Sequence, residues 1–291
     1  MRFTKMQGIG NDYVYVNCFE EKIDDPAAVA RKVSDRHFGI GSDGLILVCP
    51  SKKANVRMRM FNADGSEAEM CGNGIRCLAK YAYEHKLAEA GPQFTVPGGK
   101  TYPASIKVET GSGILTLGLA LNAKGKVESV CVNMGQPRLK PKEIPVNIKG
   151  DSVINYPLEV LNQRLDITCV SMGNPHTVIF CHDITAVNLE RIGPVIENHE
   201  LFPLRTNVHF ALANSRTELT MRTWERGSGI TLACGTGACA VCVAGVLTGQ
   251  SDRDCTIHLP GGDLDLNWSD SDSCVYMTGP AEEVFNGNYE L

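Results

Sequence analysis

The sequence predicts an α/β (α+β) fold of two pseudo-symmetric domains, each a mixed β-sheet or barrel wrapped around a central helix. Three observations predict it. The same short motifs occur twice at one constant spacing. Strand-like and helix-like segments follow in the same order around each copy. The segment after the second cysteine motif is apolar nearly all round, which suits a helix enclosed by sheet rather than one lying on a surface.

The repeat is explicit in the residues. Cys71-Gly72-Asn73-Gly74 and Cys234-Gly235-Thr236-Gly237 lie 163 positions apart. At that spacing Gly10-Asn11 falls on Gly173-Asn174, and Pro97-Gly98-Gly99 on Pro260-Gly261-Gly262. Asn62, after the strand-like VRMRMF, falls on Glu225, after LTMRTW, and the helical pattern of Ala28–His37 falls on Arg191–Glu200. One Cys-Gly-x-Gly match arises by chance; several motifs at one spacing rarely do. A period this long with two copies is a pair of domains, not a solenoid.

Each copy reads alike. Strands precede and follow the Gly-Asn turn: MRFTKM and YVYVNC in the first copy, LDITCV and TVIFC in the second. A helix comes next, near 26–36 and 187–200. Two strands follow, near 44–49 and 56–61, then 207–213 and 218–224. The cysteine opens a second helix, near 72–86 and 235–247, and further strands close each unit. The tail CVYMTGPAEEVFNG reads as a last strand returning to the first domain. Residues 134–150, with three prolines, are the expected crossing, so the domains are 1–133 plus 278–291, and 134–277.

Composition narrows the function classes. The 291 residues are 43% hydrophobic and 21% charged, ordinary for a globular protein. A net charge of −5 gives no electrostatic case for nucleic acid. No long apolar run marks a membrane span, and the amino-terminal stretch does not read as a secretory signal. The twelve cysteines are expected to be reduced thiols in a cytoplasmic protein; a mature plastid form fits equally. The spacings Cys71-x5-Cys77 and Cys234-x4-Cys239-x2-Cys242 have no His-x3-His partner, so no metal is expected.

The two cysteine motifs carry the chemistry. A thiol at a helix N-terminus sits where free N–H groups and the helix dipole favour negative charge. Pseudo-twofold packing would bring two such helix starts face to face across an interdomain cleft. An anion held there would have one thiol on either side. That suits inversion at a carbon beside a carboxylate: one thiolate takes the α-proton and the opposite thiol returns one to the other face. The bland alternatives are a buried cysteine in each turn, Asn11 and Asn174 as left-handed turn residues, His176 as a structural histidine, and Glu225 with Arg226 as a surface ion pair. Arg57, Arg59 and Arg222 read as solvated strand residues. Cys18, Cys49, Cys131, Cys169, Cys181, Cys255 and Cys274 read as buried small hydrophobes.

GIGNDY, FNADGSEAEMCGNGIRC, SMGNPH, WERGSG and ACGTGACA together resemble the diaminopimelate epimerase family over nearly the whole chain. The resemblance implies interconversion of LL- and meso-2,6-diaminopimelate on the route to lysine, with no cofactor (neither pyridoxal phosphate nor metal). It implies Cys71 and Cys234 as the acid/base pair, tuned by His176 and Glu225. Gly72, Asn73, Gly235 and Thr236 match the donors to the reacting carboxylate. Asn11, Asn62, Asn174, Asn207, Glu225 and Arg226 match the shell around the amino groups and far carboxylate; Arg226 can clamp a carboxylate with two parallel hydrogen bonds. By the same analogy the protein is a homodimer.

The chain departs from the family pattern at Gly44, where some members carry glutamine, and at Gly229-Ile230-Thr231, where some carry Gly-Glu-Thr. Two other readings are weighed. One is a cofactor-independent racemase or isomerase of the proline-racemase or phenazine-biosynthesis type; the other is a non-catalytic anion- or metal-binding protein. Retention of both cysteines disfavours the phenazine type, and Arg226 with the polar shell disfavours proline.

Overall fold

A computed structural model describes all 291 residues, which fall into two compact units. The first comprises Met1–Val96, Lys100–Asn133 and Thr278–Leu291; the second comprises Pro97–Gly99 and Met134–Met277.

The first unit contains β1 (Arg2–Gly8), β2 (Asn11–Asn17), α1 (Pro26–Ser34), β3 (Gly44–Cys49), β4 (Val56–Asn62), β5 (Glu67–Ala68), α2 (Gly72–Glu84), β6 (Phe94–Thr95), β7 (Thr101–Tyr102), β8 (Ala104–Thr110), β9 (Gly113–Leu121) and β10 (Val127–Asn133). The second opens on a 3-10 turn (Pro141–Glu143). It continues with β11 (Tyr156–Val160), β12 (Gln163–Ser171), β13 (Pro175–Phe180), α3 (Leu189–Glu197), β14 (Asn207–Ala213), β15 (Glu218–Glu225), β16 (Gly229–Thr231), α4 (Gly235–Thr248), β17 (Asp254–Leu259) and β18 (Gly262–Trp268). After these come β19 (Val275–Pro280) and β20 (Glu282–Asn288). The tail read as one strand is therefore two, parted at Ala281.

The pairings repeat to the residue. In the first unit β2 runs parallel to β3 with Tyr13 opposite Gly44, and β3 antiparallel to β4 with Gly44 opposite Asn62. In the second β13 runs parallel to β14 with His176 opposite Asn207, and β14 pairs antiparallel with β15 in the register that sets Val208 opposite Trp224. Every one of these positions is displaced by the same 163 residues. The outer helices obey it too, Pro26–Ser34 falling on Leu189–Glu197.

Past the central helices the spacing changes. β8 joins β4 in parallel with Val108 opposite Val56, and β17 joins β15 with Ile257 opposite Leu219, so Val108 corresponds to Ile257, 149 positions on. The match of Pro97-Gly98-Gly99 with Pro260-Gly261-Gly262 is thereby corrected. The first triplet connects the small β6–β7 ribbon, and the second turns β17 into β18. The ribbon is the extra length that shortens the offset.

Strand alternation divides the core of each unit in two. In β2 and β3, Val14, Val16, Leu45 and Leu47 face one way and bury Val29, Ala30 and Val33 of α1. The opposite face of the sheet meets α2, where the Tyr15 hydroxyl donates to Gly74 O at 2.9 Å. In the second unit Val208, Phe210 and Ile179 pack on Leu189, Ile192 and Ile196 of α3. Helix α2 touches β1–β4, β8–β10 and β20, and α4 touches β12–β15, β17 and β18, so each is enclosed by strands. From Gly235 to Gly245 only Thr236 of α4 is not buried, as its apolar circumference requires.

Strand β20 pairs antiparallel with β1, the place that β11 holds beside β12. The second copy has a strand before its first hairpin; the first copy starts at β1 and receives that strand from the chain's other end.

Candidate active site

The central helix of each unit starts at its cysteine, the N-cap in both cases. The last residue of each Cys-Gly-x-Gly is glycine for a packing reason. A Cβ on Gly74 would lie 2.7 Å from Ile46 Cδ1, and one on Gly237 would lie 2.4 Å from His209 Cε1. Ile46 and His209 are equivalent residues of β3 and β14, so both helices approach their sheets too closely for a side chain there.

In the first unit Cys71 is half-buried and its sulfur accepts from Gly74 N–H at 3.5 Å. Its thiol faces Asn11 Oδ1 at 3.6 Å. Burial pushes the Cys71 pKa up, opposed by the N–H groups of Gly74 and Asn73, the Tyr13 hydroxyl and the Arg76 charge. Asn11 Nδ2 donates to Asp43 Oδ2 at 2.6 Å. Desolvation raises the Asp43 pKa, while Asp12 N–H, Arg36 and Asn11 pull it back. Tyr13, 5% exposed, has its phenol pushed far up by burial first and then by Cys71 and Asp43.

Cys234 is buried, with its sulfur 3.8 Å from Thr236 Oγ1. Asn174 Nδ2 lies 3.4 Å from Thr236 Oγ1, and Asn174 Oδ1 lies 2.9 Å from His176 Nε2. His176 Nδ1 bonds His209 Nε2 at 2.9 Å, and His209 Nδ1 bonds Thr223 Oγ1 at 3.0 Å. Both imidazoles are fully buried. Desolvation takes His209 down to about 3; it takes His176 well below its ordinary range, helped by His209 and Arg226. Both rings are neutral near pH 7. His176, His209 and Cys234 place three potential metal donors within 4.8 Å of one another, but His176 Nδ1 and His209 Nε2 are spent on each other.

The remaining predicted residues Asn62, Asn207 and Glu225 lie in two rows in register, which also contain Tyr13 and Gly44. Tyr13, Gly44 and Asn62 are neighbours across β2, β3 and β4, and His176, Asn207 and Glu225 are their equivalents across β13, β14 and β15. Asn62 Nδ2 donates to Ser66 Oγ at 3.0 Å. Asn207, 4% exposed, donates to Pro175 O at 2.8 Å and accepts from Arg226 N–H at 3.0 Å, so it places the Arg226 backbone. Glu225 accepts from Thr231 Oγ1, and Arg226 Nη1 reaches Leu204 O at 2.9 Å. Asn73 is buried at the helix opening, and its Oδ1 has no hydrogen-bond partner.

Several expectations need amendment. The bland alternative for Asn11 and Asn174 falls away, because Gly10 at φ 86° and Gly173 at φ 99° take the left-handed conformation. Arg222 is not a freely solvated residue, since it donates to Ile184 O and Val187 O at 3.0 Å each and braces the approach to α3. Arg59 is half-buried against Glu67. Cys18, Cys49, Cys181 and Cys274 are only half-buried. Gly44 is more than a missing contact: a Cβ there would lie 2.1 Å from Phe61 O and 2.9 Å from Tyr13 Cε1, so the observed backbone and the Tyr13 ring fill the space.

Sequence reasoning missed Tyr13, Asp43, His209 and Thr223. Tyr13 was within reach, because it stands 163 positions before His176. His209 and Thr223 had no such signal, since their counterparts are the apolar Ile46 and Met60.

The fold is shared along the whole chain with solved structures of low sequence identity. A phenazine biosynthesis protein from Bacillus anthracis superposes with a TM-score of 0.70 at 17% identity, over 100% of this chain and 99% of that one. A hydroxyproline epimerase from Agrobacterium vitis gives 0.65 at 12% identity, over 99% and 90%. Sequence carries the assignment further. The diaminopimelate epimerase family pattern matches residues 3–140 and 168–284. The diaminopimelate epimerase of Acetivibrio thermocellus is 53% identical over 100% of this chain and 99% of its own length; that of Methanococcus maripaludis is 47% identical over 100% of both. The chain belongs to the diaminopimelate epimerase family.

Proposed function

We propose that this protein interconverts LL- and meso-2,6-diaminopimelate by proton transfer at Cα, with Cys71 and Cys234 as the two acid/base groups. One observation carries the assignment of roles. Both cysteines cap enclosed central helices at the same place in the repeated topology, and the equivalent asparagines near them are held by side-chain hydrogen bonds, Asn11 to Asp43 and Asn174 to the buried His176.

The chemistry follows from the surroundings. An amino-acid α-proton is a very weak acid, so the developing enediolate charge needs aimed donors. The opening turns of α2 and α4 offer N–H groups at Gly72, Asn73, Gly235 and Thr236 for the reacting carboxylate. One thiolate removes the proton and the other thiol delivers one to the opposite face. The scheme requires both sulfurs to reach a single carbon. The buried acceptor Asn73 Oδ1 suits a donor on the substrate, since leaving such an atom unmet costs about 1–3 kcal/mol. Glu225 and Arg226 supply opposite charges for the distal ammonium and carboxylate. His176 is neutral and buried, so its role toward Cys234 runs through Asn174 rather than through charge.

In deuterated water, LL-diaminopimelate should gain deuterium at Cα and turn into the meso form, unaffected by added pyridoxal phosphate or chelator. L-Proline should not exchange. Absence of exchange on diaminopimelate with exchange on proline would move the protein to the racemase alternative.

No helix is long and apolar enough to cross a membrane. We propose a cytoplasmic homodimer. Exposure of Val284 (57%) and Phe285 (48%) on β20 supports self-association, which light scattering measures.

A further inference from the structure

The two site asparagines are held in opposite senses. Asp43 is acceptor-only when ionised, so Asn11 must turn its NH2 to the carboxylate and its carbonyl oxygen toward Cys71. In the second unit no carboxylate performs this task. Asn174 instead ends a buried row: Thr223, His209, His176, Asn174.

Two neutral imidazoles in series admit two polarities, because each ring has one donor and one acceptor. The end of the row selects between them. Thr223 is 3% exposed and its hydroxyl bonds His209 Nδ1 at 3.0 Å. Donating to that nitrogen satisfies the hydroxyl proton; accepting from it would leave the proton buried and unmet, at a cost of about 1–3 kcal/mol. With Thr223 as donor, His209 Nε2–H donates to His176 Nδ1, and His176 Nε2–H donates to Asn174 Oδ1. The Asn174 NH2 is then left to face Thr236, whose hydroxyl stands beside Cys234.

We propose that Thr223 and His209 are positioning residues. They set the tautomer of His176 and hence the orientation of the Asn174 amide, doing for the Cys234 side what Asp43 does for the Cys71 side with opposite outcome. A carbonyl oxygen faces the first thiol and favours its proton staying on. At the second, the Asn174 NH2 donates to the Thr236 hydroxyl, which leaves that hydroxyl's proton for the Cys234 sulfur, and a donor there favours a thiolate. The proposal deepens the epimerase reading and rests on it for its catalytic consequence, but its structural content does not depend on turnover.

The test uses full-length protein with 15N-labelled histidine. Thr223→Val is near-isosteric and removes the polarising hydroxyl, Thr223→Ser restores it, and His209→Gln keeps a donor toward His176. Long-range 1H–15N spectra read the tautomers. Wild type and Thr223→Ser should show His176 protonated on Nε2, and Thr223→Val should show mixed tautomers. In the exchange assay Thr223→Val should lose about tenfold in kcat with little change in KM, and Thr223→Ser should recover most of it. His209→Gln should retain more activity than His209→Leu at equal thermal stability. A wild-type His176 protonated on Nδ1, or an unchanged tautomer and kcat in Thr223→Val, would overturn the proposal. If the spectra behave as stated but no variant, wild type included, exchanges diaminopimelate, the positioning row stands and the epimerase reading fails.

Discussion

The two units solve one packing problem with different chemistry. Where Gly74 meets Ile46, Gly237 meets His209; where the first unit has Met60, the second has Thr223. Backbone register is identical, yet an apolar contact in one copy is a buried hydrogen-bonded row in the other. The difference teaches that duplication preserves the position of the cysteine and its asparagine, while the group that fixes the asparagine is free to move. In the first unit it is Asp43, at the foot of β3; in the second it is His176, on β13. A repeat predicts location well and chemistry only where a residue type recurs.

The largest effects should fall on the feature both units share. Cys71→Ser and Cys234→Ser should each lower Cα exchange by about 10²–10⁴-fold, the range for losing a positioned acid or base. Normal turnover in either variant, measured by deuterium incorporation, would break the pairing of the two units. Mild oxidation should inactivate reversibly, with peptide mapping showing a Cys71–Cys234 disulfide; full activity in protein carrying that bond would contradict the scheme.

Next come the contacts that differ. Ile46→Ala removes a fully buried side chain against α2 and should cost about 2–5 kcal/mol in unfolding free energy. Stability loss in the range where free imidazole titrates should come from the second unit instead. His209 has a native pKa of about 3 and His176 is also well below 6.5, so the unfolded chain binds more protons between those values. Their contribution is fully present above about pH 6.5 and is lost as pH falls, by up to about 1.4 kcal/mol per pH unit for each ring. Thermal melts from pH 7.5 to 4.5 should show that loss, reduced in His209→Leu.

Smaller still is the contrast between the helix glycines. Gly237→Ala forces a methyl against an imidazole bonded on both sides, whereas Gly74→Ala meets the movable end of Ile46. Overpacking costs about 1–3 kcal/mol, and Gly237→Ala should lie at the upper end with Gly74→Ala below it. The outer helices should behave alike. Asp25 caps α1 through Ala28 N–H and Asn188 caps α3 through Arg191 N–H, so Asp25→Ala and Asn188→Ala should each cost about 1 kcal/mol. A marked inequality would show that the units differ even where their residues correspond.

Much of the fold was open to reading because it depends on local periodicity. The strands at 44–49 and 207–213 and the helices opening at Gly72 and Gly235 stand where alternation, apolar runs and the cysteine caps put them. The Pro-Gly-Gly equivalence failed because an insertion, the β6–β7 ribbon, leaves the motif intact while changing its partner strands. The candidate site divides likewise. Cys71, Cys234, Asn11, Asn174 and His176 were legible because they recur or sit in ordered motifs, whereas His209 and Thr223 look like ordinary strand residues in a chain.

By itself the sequence determined the duplication, the two thiols at helix starts and the family, since these rest on residue identity and spacing along one dimension. Tertiary structure alone decided which groups hold the asparagines, that Tyr13 rather than a residue at Gly44 fills the space near Cys71, and that β20 completes the first sheet. The physical reason is that hydrogen-bond polarity and excluded volume are properties of neighbours in space, and Thr223 and Asn174 are neighbours only through two imidazoles carried by adjacent strands.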